Sequence, residues 1–447
     1  MSAAAQTTWC RQIADALARS GVEMVAISPG SRSAPLALAL IEESRLTTEV
    51  IVDERAAAFF ALGAARETGK PAAAVCTSGS AGAHYHPAVI EAERAGIPLL
   101  LLTADRPPER HHRQAPQTTE QVGFYGAHCR GSFDLGPAEA AARMLTATAR
   151  TVALAVGRAR GTRGSTPGPV QINLRLRKPL EPDPQAPPIV EASLPTVHRP
   201  DSVPAAASLE ALTEICRSRS RGLIIAGPAH PWTAVDPTVL ARFARRTGMP
   251  VVAEAASQLR FAPRPLACHR CESWEWLLRC DRLKDLGPPD LLLHFGPPST
   301  PSGAGTLSEA FPDATLAVVH PGAEGDPADR SALIVPAEAK PTLEGLLERI
   351  GDGPGSHEDW GRRIGALDTA AWLEIESALA RESDFIEAIA VRTVLENLPG
   401  GALLALANSL PIREVDLFCP GAMARVPVLH QRGAHGIDGM VAGAAGA

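Results

Sequence analysis

Over roughly the first 110 residues, short apolar, β-branched runs alternate with alanine-rich stretches of helical period. Strands of this kind are buried on both faces and must be joined by crossover helices, so the pattern is that of the βαβ units of a parallel sheet. It predicts helices over 8–20, 35–43, 55–68 and 84–95, and strands over 22–28, 49–53, 72–77, 98–104 and later 169–174. Aromatic residues are only 4% of the chain. Cores built from Ala, Val, Leu and Ile suit such strands.

The alternation lapses between Pro179 and Pro204, where eight prolines fall with little periodicity, the composition of a linker. It resumes with predicted strands over 222–226, 250–253, 291–295, 316–320 and 332–335. The glycine-rich stretch 351–357 marks another boundary, followed by a helix over 385–396 and a strand over 403–407. With 447 residues, a typical domain of about 150 residues leads to the expectation of three domains.

Composition excludes several classes. A net charge of −6 argues against a nucleic-acid binder held by phosphate contacts. Eight scattered cysteines form no disulfide framework. No apolar run has the length of a membrane span, and the start lacks a basic segment followed by an apolar one, so the expectation is a soluble, cytoplasmic protein. Cys268-His269-Arg270-Cys271 has no second ligand pair, so no metal ligand is assigned. Neither the dinucleotide fingerprint nor the phosphate-loop lysine motif is present.

In open α/β sheets ligands bind beyond the carboxyl ends of the strands, and four polar segments fall there. They are Ser28-Pro29-Gly30-Ser31-Arg32-Ser33, Asp53-Glu54-Arg55, Thr77-Ser78-Gly79-Ser80, and Arg106 to Gln117. The last concentrates Arg106, Arg110, His111, His112 and Arg113, a set that is either a solvated loop or an anion site. Arg32, between a Pro-Gly turn and a helix start, is an anion-binding candidate. Asp53 and Glu54 read either as a helix N-cap or as a carboxylate in a cleft acting on a ring nitrogen.

Taken together, SPGSRSAPL (28–36), VDERAAAFFALGAA (52–65), VCTSGSAGAHYHPAVIEA (75–92) and LLTADRPPERHHRQAPQTTEQVGFYG (101–126) resemble the thiamine-diphosphate-dependent 2-succinyl-5-enolpyruvyl-6-hydroxy-3-cyclohexene-1-carboxylate (SEPHCHC) synthases of menaquinone biosynthesis. GPVQINLRLRKPL (168–180), LANSLPIREVD (406–416) and QRGAHGIDG (431–439) continue the resemblance in order.

It implies the thiamine-diphosphate-binding α/β fold, with doubly wound parallel sheets in successive domains. The expected domains are a pyrimidine-binding domain over 1–185, a Pro-rich linker over 186–204 and a middle domain over 205–352. The N-terminal part of a diphosphate-binding domain follows over 353–447. A homodimer or homotetramer is implied, as are 2-oxoglutarate and isochorismate as substrates, thiamine diphosphate as cofactor, and Mg²⁺ or Mn²⁺. Neither nucleic acid nor membrane is an expected partner.

By resemblance Glu54 is the catalytic glutamate that hydrogen-bonds N1′ of the aminopyrimidine, favouring the imino tautomer through which the cofactor deprotonates its own C2. Pro29, Thr77, Asn408 and Ile437 take cofactor-binding positions, Ile437 as the prop for the bent conformation. Ser31, Arg32, Arg106, Gln117, Ser409, Arg413 and Arg432 take positions that bind substrate carboxylates, a task suited to guanidinium forks. Arg110, His111, His112 and Arg113 are not carried over.

The chain departs from the family at three places. Pro116 stands where some members have asparagine, and Ser302 and Gly303 stand where members carry cations. The Gly-Asp metal motif that follows GIDG in the family is not reached by residue 447, so the last domain is expected to be truncated and its metal ligands to lie beyond that residue. Two readings follow: part of a true synthase, or a non-catalytic remnant that binds ligand or a partner subunit.

Overall fold

The computed structural model describes residues 2–162, 165–263, 266–322, 326–351 and 355–447. The expected boundary at 352–353 lies outside them. Two compact units are formed, one from Met1–Pro200 with Gln431–Ala447 and one from Asp201–His430.

In the first unit six parallel strands lie in the order β2-β1-β3-β4-β6-β5. These are β1 (Met24–Ile27), β2 (Thr47–Val50), β3 (Ala72–Cys76), β4 (Leu99–Asp105), β5 (Gly131–Leu135) and β6 (Pro169–Arg175). The helices between and around them are α1 (Ala3–Arg19), α2 (Ala34–Glu42), α3 (Glu54–Thr68), α4 (His86–Ala95) and α5 (Ala142–Ala159). Strands β3 and β4 are buried along their whole length, as crossover helices on both faces require. Strand order reverses direction between β1 and β3, which makes the crevice beyond their carboxyl ends the ligand-binding position of a doubly wound sheet.

Most predicted elements of this unit are present within a few residues. Helix α1 starts five residues before its expected position, β5 and α5 had no counterpart in the sequence pattern, and β2, expected over 49–53, is found at Thr47–Val50. Its pairing with β1 ends at Ile27↔Val50, just before Ser28-Pro29, where proline has no N–H to offer. As an edge strand it is mostly exposed, so the apolar run Val50-Ile51-Val52 misreports its register. The stretch 182–200 has no regular structure but is held on α1, with Thr8 donating to the Pro187 carbonyl at 2.6 Å and Val190 N–H to Gln12 at 2.9 Å.

The second unit holds a five-stranded parallel sheet in the order β11-β10-β9-β7-β8. Its strands are β7 (Gly222–Ala226), β8 (Val251–Ala253), β9 (Leu291–Phe295), β10 (Thr315–Val319) and β11 (Leu333–Val335). Accompanying helices are α6 (Ala206–Ser218), α7 (Pro237–Thr247), α8 (Trp274–Arg279), α9 (Arg282–Asp285), α10 (Leu307–Ala310), α11 (Ala339–Arg349) and the long α12 (Glu358–Arg381). Trp360 and Ile364 of α12 are buried in this sheet's core, and His357 accepts the Gly222 N–H at 2.9 Å. A two-stranded parallel pair, β12 (Leu404–Leu406) and β13 (Val428–His430), packs with α13 (Glu387–Glu396) and α14 (Leu410–Phe418). The Cys268–Cys271 segment is backbone-paired with β8, through Val251 N–H to His269 O and Cys271 N–H to Val251 O. Burial pushes the Cys268 thiol up to about 11.

The last helix, α15 (Met440–Gly446), belongs to the first unit and packs on α3. A side chain at Gly63 would meet the Gly443 carbonyl oxygen at 1.9 Å, so glycine is required for the two helix backbones to approach this closely.

Candidate functional site

At the switch point the loops after β1 and β3 touch. Arg32 N–H donates to Thr77 Oγ1 at 3.3 Å, and a Cβ on Gly30 would fall 2.3 Å from that of Thr77. Pro29 and Ser31 are exposed on this loop, and the Ser78 hydroxyl is buried with no hydrogen-bond partner among the described residues.

Arg32 is 5% exposed. One of its nitrogens, Nη1, donates to the Leu176 carbonyl at 2.7 Å, while Nε is buried without a partner among the described residues. An incompletely satisfied buried guanidinium is costly unless an anion completes it. Burial, then Arg106 and Arg110, pull Arg32 down to about 10, against an opposing pull from Asp105. A carboxylate from a ligand would relieve that repulsion.

The two readings of the acidic pair both apply, one to each residue. Asp53 is the N-cap of α3, accepting the Ala56 N–H at 2.8 Å. That leaves Glu54, half-buried in the first turn, with no hydrogen-bond or ion-pair partner among the described residues. A carboxylate presented in this way at the edge of the crevice is available to a ring nitrogen.

The fourth loop is partly preorganised. Arg106 donates to the Gln117 side chain at 2.9 Å, and Gln117 has a φ of 54°, a conformation that costs free energy in a non-glycine residue and concentrates at ligand sites. His111, to which the family resemblance gives no role, is buried beside Asp105 at 3.5 Å and hydrogen-bonded to the Arg106 carbonyl. His112 and Arg113 are exposed.

Gln431–Gly439, which carries Arg432 and Ile437, also belongs to the first unit. Glu91 of α4 holds it, accepting the N–H groups of Gly433 at 3.0 Å and Ala434 at 2.6 Å. Glu91 is itself paired with Arg66 of α3 at 2.6 Å, both side chains 3% exposed. Arg432 is buried, whereas Ile437 is 75% exposed. Gly439 sits against Phe59, five residues along α3 from Glu54. The available sequence signal was a charge inside the apolar stripe of each helix, since Glu91 lies among buried Ala88, Val89 and Ala92.

In the second unit Asn408, Ser409 and Arg413 gather at the start of α14. Ser409 has a φ of 75°, the second expected substrate residue in a strained conformation. Arg413 donates to the Pro301 carbonyl at 2.7 Å and to that of Ser409. Where Ser302 and Gly303 replace the family's cations, the Arg279 guanidinium lies beside Gly303, 2.5 Å from where a Cβ would stand.

Behind α14, Glu254 is buried and accepts the Thr300 N–H at 2.9 Å. Burial, then neighbouring Asp416, raise its carboxyl from 4.5 to about 7. Between those values the folded protein retains a proton that the unfolded chain releases, so this group's contribution to stability is lost as pH rises through the window. His294 and His320, lowered to about 4 by burial, act oppositely below their ordinary value of 6.5, so the readable quantity is a difference between proteins. Glu254→Gln keeps the Thr300 bond and should raise the melting temperature by roughly 5 °C at pH 8, with the gain vanishing near pH 5. Thermal melts of both proteins across pH 5–8 check this.

Among the described residues no three His, Cys, Asp or Glu side chains converge as a metal site, and no helix is long and apolar enough to cross a membrane.

Residues 7–124 match the family described as thiamine pyrophosphate enzyme, N-terminal TPP binding domain. The chain is 38% identical to the 2-succinyl-5-enolpyruvyl-6-hydroxy-3-cyclohexene-1-carboxylate synthase of Sorangium cellulosum, over 99% of its own length and 74% of that protein. The synthases of Myxococcus xanthus (37%, covering 98% of this chain and 75% of the relative) and Halobacterium salinarum (36%, 99% and 76%) are similar to the same extent. Identity at this level, over nearly the whole chain and three quarters of each relative, means that the chain belongs to the SEPHCHC synthase family of thiamine-diphosphate enzymes.

Proposed function

We propose that the protein joins 2-oxoglutarate to isochorismate in menaquinone biosynthesis. The C1–C2 bond of 2-oxoglutarate breaks and C1 leaves as CO₂. The four-carbon remainder forms a new carbon–carbon bond to isochorismate by 1,4-addition, and one proton is taken up. The observation that carries this reading is that the loops at the carboxyl ends of one sheet hold two groups with no protein partner among the described residues, the Glu54 carboxylate and Nε of the buried Arg32.

The residues fit thiamine diphosphate: Gly30 packs directly on Thr77, bringing the β1 and β3 loops together, Ser78 offers a hydroxyl with no partner among the described residues, and Glu54 is available to a ring nitrogen. When bound, that cofactor supplies the electron sink for decarboxylation. In this reading Glu54 holds a proton at N1′ of the aminopyrimidine, Pro29 and Thr77 pack on that ring, and Ile437 and Asn408 have cofactor-binding roles. Ser31, Arg32, Arg106, Gln117, Ser409, Arg413 and Arg432 bind and orient the dianionic substrates through charge-assisted hydrogen bonds. The described residues offer no cluster fitting a divalent cation, and no step here runs through one. A cytoplasmic homodimer or homotetramer is the assembly that accompanies this reading.

The test is turnover of the purified protein with thiamine diphosphate and Mg²⁺. Isochorismate consumption should require 2-oxoglutarate and release one CO₂ per product. Binding of either substrate without CO₂ release would favour the non-catalytic reading, and turnover of pyruvate in place of 2-oxoglutarate would overturn the substrate assignment.

A further inference from the structure

Gln121 has no role in the assignments above, yet it joins the loops that carry them. It is 3% exposed. Its Oε1 accepts the Gly79 N–H at 3.0 Å, and its Nε2 donates to the Ala104 carbonyl at 3.3 Å and to Asn173 Oδ1 at 3.2 Å. Its own carbonyl accepts from Gln171 at 2.6 Å. Gly79 is gripped from the other side as well, since Thr119 donates to its carbonyl at 3.2 Å. The peptide groups of the β3 loop are thus held at both N–H and C=O by the loop that carries Gln117. Gly79, with a φ of 89°, faces Gln117 closely enough that a Cβ would lie 3.4 Å from that of Gln117.

The network has only one polarity. Asn173 donates to Asp105 at 3.0 Å and to Asp134 at 2.9 Å, and its oxygen accepts from Thr103 at 3.0 Å and from Gln121. Carboxylates only accept, so the Asn173 nitrogen must face them and its oxygen must face Gln121. Gln121 is then compelled to present nitrogen to Asn173 and oxygen to Gly79. Asp105 completes the path by accepting the Arg106 N–H at 2.7 Å. A continuous chain of hydrogen bonds runs from the β3 loop through Gln121, Asn173 and Asp105 to Arg106. Buried networks satisfied in this way rigidify what they touch.

We propose that Gln121 is a positioning residue of the reaction: its carboxamide sets the spacing between the Thr77–Ser80 loop and the Arg106–Gln117 pair, and so the alignment of cofactor and substrate carboxylate. This rests on the function proposed above.

Two variants of the full chain test it. In Gln121→Glu a protonated carboxyl keeps the acceptor toward Gly79 and one O–H for the two acceptors, Ala104 O and Asn173 Oδ1, that the amide nitrogen serves. Ionised, it has no donor and faces carbonyl oxygens. Asp105 on β4, Asp134 on β5, Arg175 on β6, and Glu120, His111 and Arg106 on the loop surround the site in both proteins, so the variant-to-wild-type ratio removes their own titration. That ratio of kcat/KM should be about 30-fold below unity at pH 8, chiefly through KM, and recover at least about fivefold by pH 6.

Gln121→Leu should lose as much at every pH. Hydrogen–deuterium exchange in its segments 76–80 and 104–119 should accelerate about tenfold or more. A pH-independent ratio for the glutamate variant, or unchanged exchange in the leucine variant, overturns the proposal. Absence of carboligation by the wild-type protein overturns the functional reading instead, and the exchange data still decide the role of Gln121.

Discussion

Glu54→Gln should lower kcat by about 10²- to 10⁴-fold, the range associated with loss of a positioned proton-transfer group, with little change in stability. The structure separates the two effects. Asp53 supplies the N-cap of α3 through its bond to Ala56, so the helix start does not depend on its neighbour. Glu54 has no partner among the described residues whose loss would unfold anything. Glutamine preserves shape and volume but cannot hold the ionised hydrogen bond to a ring nitrogen. The check is twofold: steady-state turnover, and the rate at which the bound cofactor exchanges its C2 proton for deuterium. Both should fall together while the melting temperature stays within a degree or two. Wild-type exchange in the variant would remove Glu54 from the role assigned to it.

Arg32→Ala should raise KM for at least one of the two substrates about 100-fold, since removing one partner of a buried charge-assisted pair costs about 2–5 kcal/mol. Arg32 spends one nitrogen on the Leu176 carbonyl and keeps Nε unsatisfied, so a planar fork remains available to a carboxylate. Arg32→Lys should recover less than about tenfold of the loss, because an ammonium is a point charge that cannot reproduce a two-pronged contact. Titrating each substrate at saturation of the other identifies which one Arg32 holds. Unchanged KM values for both in the alanine variant would make Arg32 a purely structural residue, its guanidinium serving only the Leu176 carbonyl.

Much of the fold was legible because it depends on periodicity. Runs such as Leu99–Asp105 and Gly222–Ala226 are buried on both faces and leave no alternative to a parallel strand. Thr47–Val50 was misplaced because an edge strand is held by backbone pairing alone and imposes little on its side chains. Much of the candidate site was legible as well, since its loops follow the strands and carry the motifs. Neighbours within a loop were not separable: His111 is buried while His112 and Arg113 are exposed, and nothing local distinguishes them.

The amino-acid sequence by itself determined the parallel α/β class, the placement of the polar loops at the strand ends, and the motifs that mark the family. These are short-range properties, set by the period of apolar residues and the chemistry of turns. Only the tertiary structure decided which polar side chains are satisfied. Asp53 became a cap and Glu54 did not. Gln121 found Gly79 and Asn173, and Glu91 found the backbone of Gly433, 342 residues away. A buried polar group is tolerated only when its hydrogen bonds are made, and its partners come from segments that are remote along the chain and meet only once the sheet and its helices have packed.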